Sequence, residues 1–155
     1  MPNLKWSKLS WLKLGKYAEF FAKLEFSLYG FEVYTSEVDD HGVDFVAKQP
    51  NSEQFFEVQV KAISNTGYVF ARKDKVRLKD NWLLCLLRFV DGVQPEIYII
   101  PATIWATGQK PFVSRNYEKE GQKSKPEWGV NISKRNVPLL AEYTSEKFFA
   151  QLVEG

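Results

Sequence analysis

Read as hydrophobic and polar positions, the chain begins with a helical period and then switches to a period of two. Between residues 14 and 29 there is no proline, and Tyr17, Phe20, Phe21, Leu24 and Leu28 recur three or four positions apart on one stripe. Gly15, Ala18, Ala22 and Phe26 lie round the other side. The pattern predicts a helix packed on two sides, with Gly30 as its stop. Strand patterns follow. Residues 31–35 (FEVYT) are aromatic and β-branched, 37–42 (EVDDHG) form a polar turn, and 42–48 (GVDFVAK) read as a second strand. A hairpin loop with Pro50, Asn51 and Ser52 leads into a third strand at 55–63 (FFEVQVKAI). Its alternation is strict. Phe56, Val58, Val60 and Ala62 share one face, and Glu57, Gln59 and Lys61 share the other.

The second half is less regular. Residues 65–71 read as a short strand or a loop, and 72–79 (RKDKVRLK) as an irregular basic segment. Residues 82–90 (WLLCLLRFV) are mostly apolar, and their length favours a buried strand. Asp91-Gly92 is a hairpin signal, which makes 97–100 (IYII), closed by Pro101, the partner strand. A polar stretch at 107–127 reads as a mobile loop, 128–132 as a short strand. Thr144 or Ser145 caps a final helix through Val153, with Glu146 in its first turn. This order predicts a single α/β (α+β) domain, a mixed sheet flanked by helices. Residues 1–13 form an N-terminal arm or a first turn packed on it.

Composition narrows the functional classes. The chain has 155 residues, 45% hydrophobic and 26% charged, which suits one globular domain and excludes disorder, collagen and coiled coil. Twenty-one basic against 19 acidic residues leave a net charge of +2, so a polyanion site must be a local patch. The single Cys85 excludes an internal disulfide and a Cys-rich zinc site, and its leucine neighbours make it a buried small hydrophobe. The single His41 excludes a multi-His metal site. No apolar run of about 18 residues predicts a membrane span. Lysines interrupt the first 20 residues, which argues against a secretory signal and makes cytoplasm the economical compartment. Lys5, Lys8 and Lys13 with Trp6 and Trp11 suit a membrane surface less well than a docked first turn.

The chemistry-bearing window is Asp44 with Gln59-Val60-Lys61. Neighbouring strands would bring a carboxylate, an amide oxygen and an ammonium together, and the strand pleat points Gln59 and Lys61 to one face. Phosphodiester cleavage uses such groups. Mg²⁺ takes oxygen ligands, usually only one or two carboxylates, and completes its shell with water and substrate phosphate. A lysine beside it orients the attacking water and offsets charge on the phosphoryl oxygens.

A helix, a strand, a strand with Asp44 and then a strand with Gln59-x-Lys61 resembles the PD-(D/E)xK nuclease superfamily. It is most similar to the branches with QxK, such as Mrr-like restriction endonucleases and uncharacterised domains with a "GxD … VQVK" pattern. Archaeal Holliday-junction resolvases share that core layout. The resemblance covers roughly residues 14–63 and implies a restriction-endonuclease-like fold with Mg²⁺ (or Mn²⁺) as cofactor and DNA as partner. It maps metal ligation to Asp44 and the (D/E/Q)xK pair to Gln59 and Lys61. Gly15…Ala18-Glu19 matches a helical Glu that many members carry, which makes Glu19 a further catalytic and metal-ligating candidate. The sequence departs from the pattern in having an amide where the second carboxylate usually stands and no proline directly before Asp44. Dimers are common for this fold, so a homodimer is an expectation by analogy.

Plainer readings stand beside these. Glu57, Gln59 and Lys61 also suit a solvent face, Asp44 and Lys61 a structural ion pair, and Glu19 a solvated position. Asp39, Asp40 and His41 suit a polar turn, with His41 as proton shuttle the functional alternative. Arg72, Lys73, Lys75, Arg77 and Lys79 are either a solvated face or nucleic-acid phosphate contacts. Lys110, Arg115, Lys119, Lys123 and Lys125 are candidates for a second arm, and Tyr117 and Trp128 for base stacking. The expected function is a Mg²⁺-dependent deoxyribonuclease. The alternatives are a catalytically inactive module of the same fold that binds nucleic acid or a protein partner, and an interaction domain with no nucleic-acid role.

Overall fold

The computed structural model describes residues 1–35 and 42–154. Helix α1 (Trp11–Leu28) starts at Ser10, whose hydroxyl accepts the Lys13 N–H. Strands β1 (Glu32–Thr35), β2 (Phe45–Lys48) and β3 (Phe55–Ser64) follow as an antiparallel run. Strand β4 (Gly67–Arg72) then leaves this sheet. The chain returns as β5 (Trp82–Phe89), parallel to β3, and turns back as β6 (Glu96–Pro101). The result is a five-stranded mixed sheet in the order β1-β2-β3-β5-β6. Strands β7 (Phe112–Arg115) and β8 (Glu127–Ile132) join β4 in a three-stranded antiparallel sheet, β4-β8-β7. Helix α2 (Ser145–Glu154) closes the chain. The α+β class and the mixed sheet flanked by helices are as expected.

Two apolar clusters sandwich the large sheet. On one face, Leu14, Ala18, Ala22 and Phe26 of α1 and Phe149 of α2 pack on Phe45, Phe56, Val58, Val60, Leu83, Cys85 and Leu87. On the other, Trp82, Leu84 and Leu86 lie under Val69, Phe112, Val130 and Ile132 of the small sheet, with Trp105 and Leu140 beside them. Strand β5 is therefore buried on both faces, which is why its sequence is apolar without alternation. Burial pushes the Cys85 thiol pKa up, with the charges of Glu25 and Asp44 adding to it, and the residue packs as the expected small hydrophobe.

Two expectations need correction. Helix α1 packs on the sheet through its small-residue side, where Ala18 and Ala22 are fully buried; of the large-ring stripe only Phe21 and Tyr17 meet a partner, Trp6, while Phe20 and Leu28 are 69% and 73% exposed. Two alanines let the helix axis approach the sheet, whereas the stripe of large rings would hold it away. The stretch 107–127 contains β7, because Phe112 inserts against Trp105 in the second cluster. Of the two alternatives for residues 1–13, the structure has the packed first turn, Trp6–Lys8. Trp6 is buried edge-on against Phe89 and donates its indole N–H to Val93 O at 2.8 Å.

Candidate active site

The Asp44 backbone adds a rung to the β2–β3 ladder. Its N–H donates to Val58 O at 2.8 Å, and its side-chain Oδ2 accepts the Val60 N–H at 2.7 Å. The carboxylate is thereby pinned against β3 beside Gln59 and Lys61. Gly42 lies just before it with φ of 68°, and a Cβ there would come within 2.8 Å of Lys75 Cβ. Glycine meets both constraints, allowing the chain into β2 to pass close to the turn Lys73–Lys75.

Asp44, Gln59 and Lys61 line one cleft of about 220 Å³, together with Gly42, Phe70, Arg72 and Lys75. It opens at the line where β4 diverges from β3. All three principal candidates are only half-buried, so the polar face of β3 is neither a solvent face nor sealed in the core. The Lys61 ammonium lies 5.9 Å from the Phe70 ring centroid.

The other candidates are dispersed. Glu19 sits on α1 with its carboxylate 3.7 Å from Lys23 Nζ and does not line the cleft. Glu57 faces a neighbouring pocket of about 320 Å³ and accepts from Arg77 at 2.8 Å. Of the basic run, Arg72 and Lys75 reach the cleft. Arg72 also clasps Asp74, and that hydrogen bond holds the Asp74 pKa below the usual carboxylate range. Lys73 lies 4.0 Å over the Trp128 ring and bonds Ser114 and Asn116, so Trp128 is already covered by a cation. Lys79 is exposed and outside the cleft. Asp39, Asp40 and His41 lie outside the described residues.

The sequence gives Phe70 no place at the cleft, nor does it reveal a cluster around Glu127 of β8. Glu127 is buried at 4% exposure, and its carboxylate accepts the hydroxyls of Tyr68 and, at 2.9 Å, Tyr117. Burial first, and then the bond to Glu127, push the Tyr68 pKa far up. Tyr68 is 59 positions from Glu127 and reaches it through the pairing of β4 with β8, while Tyr117 comes from the loop between β7 and β8.

The donors at the cleft are hard oxygens with one carboxylate, a set whose chemistry fits Mg²⁺ or Mn²⁺ through Asp44 and Gln59. Among the described residues no group of three His, Cys, Asp or Glu side chains is arranged to hold a metal. No helix among them is long and apolar enough to cross a membrane.

No family model matches the chain, and no curated protein matches it. Among solved structures, the chain is similar to Hjc, a Holliday junction resolvase from the archaeal hyperthermophile Archaeoglobus fulgidus. The likeness covers 81% of this chain and 88% of that one, with a TM-score of 0.47 and 12% identity. It is a likeness of overall architecture, from which no residue role, metal or substrate is carried over.

Proposed function

We propose that the cleft at Asp44, Gln59 and Lys61 hydrolyses phosphodiester bonds of DNA with Mg²⁺ or Mn²⁺. The observation that supports this reading is that one small cleft gathers a carboxylate, an amide oxygen and a lysine from two adjacent strands, flanked by Arg72 and Lys75. Asp44 and the Gln59 carbonyl oxygen would hold the ion, which when bound supplies polarisation of the phosphate and a more acidic water. Lys61 donates to the phosphoryl oxygens as charge grows on them and fixes the orientation of the attacking water. Arg72 and Lys75 take neighbouring backbone phosphates, so affinity falls as salt rises. The Val60 amide keeps the Asp44 carboxylate aimed along β3. The test is Lys61→Ala, assayed on linear, nicked, single-stranded and four-way-junction DNA. Metal-dependent cleavage should fall by about 10²–10³-fold, the range for losing one preorganised donor, with far-UV circular dichroism unchanged. Retained cleavage overturns the assignment.

A second reading is favoured by the charge count: the described lining holds one carboxylate against Lys61, Arg72 and Lys75. It is a DNA-binding module without cleavage. Calorimetric titration with Mn²⁺ separates the two, since the enzyme binds the ion through Asp44 and loses it in Asp44→Asn, whereas the module binds DNA indifferently to metal.

A further inference from the structure

The outward face of the small sheet is built differently from its inward face. Val69, Val130 and Ile132 point inward and are buried, so the alternate positions Tyr68 and Phe70 of β4, Glu127 and Gly129 of β8, and Arg115 of β7 face out. Gly129 provides a floor. A Cβ there would lie 2.0 Å from the Tyr68 hydroxyl and 2.4 Å from its ring carbons, so the tyrosine ring rests directly on the β8 backbone. Its hydroxyl is tied to Glu127, and the Arg115 guanidinium stacks on the ring at 4.0 Å. Phe70 continues the array, 6.0 Å from Tyr68 with the ring planes 20° apart. Phe70 is 45% exposed and is also a wall of the Asp44 cleft.

Two flat groups, an aromatic ring and a planar cation, thus stand on a rigid sheet that runs directly into the proposed phosphate site. We propose that Phe70 and Arg115 are a stacking platform for the bases of an unpaired DNA strand whose backbone lies in the Asp44 cleft. The inference rests on the phosphodiester reading of that cleft and names its substrate class: single-stranded or locally unpaired DNA. Two features argue for that occupant. Rings and guanidinium planes stack on any base, independent of sequence. Lys61, Arg72 and Lys75 beside Phe70 match the charge of the strand's phosphates. Duplex DNA keeps its base faces inside the stack and has nothing to offer the platform. The Glu127 carboxylate is buried under two tyrosine hydroxyls, and the Arg115 charge beside it offsets its own.

The experiment uses the full chain in EDTA, where hydrolysis is silent. A short single-stranded oligonucleotide carrying 2-aminopurine and a hairpin duplex of the same sequence are titrated with protein. The platform predicts tighter binding of the single strand with a change in 2-aminopurine fluorescence on binding. Phe70→Ala should weaken single-strand binding by about tenfold or more, a typical loss for one stacked base, and leave the duplex affinity unchanged. Phe70→Tyr should restore both affinity and the fluorescence change. Arg115→Lys, which keeps the charge but not the plane, should weaken single-strand binding as Arg115→Ala does. Equal affinity of the wild type for both forms, or an unchanged single-strand affinity in Phe70→Ala, overturns the platform. Stacking without metal-dependent cleavage sinks the hydrolase reading and sustains the platform. Cleavage without stacking does the reverse.

Discussion

Strands β3 and β5 lie side by side and run the same way, with Gln59 level with Leu84 and Lys61 level with Leu86. On the helix side both are apolar and sealed. On the opposite side they part: β5 offers Trp82, Leu84 and Leu86 to the small sheet, while β3 offers Glu57, Gln59 and Lys61 to two pockets. What separates them is cover. The small sheet and the segments around Trp105 and Leu140 roof β5 completely, whereas the roof over β3 ends at β4. Polar groups survive on a central strand where the second layer stops, and a cleft forms at that margin. Burial elsewhere on the strand supplies the rigidity that a site needs.

The comparison can be broken by moving charge across it. Leu86→Lys should produce the largest effect, because an unpartnered ammonium in the sealed layer costs more than most domains have to spare. Loss of the cooperative melt in circular dichroism is expected, and a wild-type melt would show that β5 is not sealed. Gln59→Glu should sharpen the contrast at the level side of β3. A second carboxylate at the cleft strengthens Mn²⁺ binding severalfold in calorimetry while the unfolding midpoint stays near wild type. An effect on stability with none on Mn²⁺ would place Gln59 with the core instead. The smallest change belongs to Glu57→Ala. Its ion pair with Arg77 is solvated at the arginine end, so urea unfolding should shift by less than about 1 kcal/mol.

The legible parts of the molecule are those governed by local periodicity. The alternation of β3 and the unbroken apolar run of β5 each state the burial of the strand, one face for the first and two for the second. Asp44 beside Gln59 and Lys61 follows from pairing two consecutive strands, and the register Phe45 to Val58 delivers it. That α1 leaves most of its large-ring side exposed was not legible. Large rings carry the stronger hydrophobic signal, yet the close approach of helix to sheet selects Ala18 and Ala22. Nor was β7, where Phe112 is one of few large apolar residues in a polar stretch and finds its partners across the second cluster. Phe70 beside the cleft and Arg115 upon Tyr68 depend on β4 and β7 both pairing with β8, which no window of adjacent residues encodes.

The route of the chain between β3 and β5 has a further consequence. These strands are hydrogen-bonded neighbours, yet the polypeptide leaves the large sheet between them to lay down β4. One strand of the smaller sheet is thus stitched through the middle of the larger one, and the other two, β7 and β8, follow its last strand. Prising β4 off would tug on both central strands at once, so amide protons of β3, β4 and β5 are expected to exchange together.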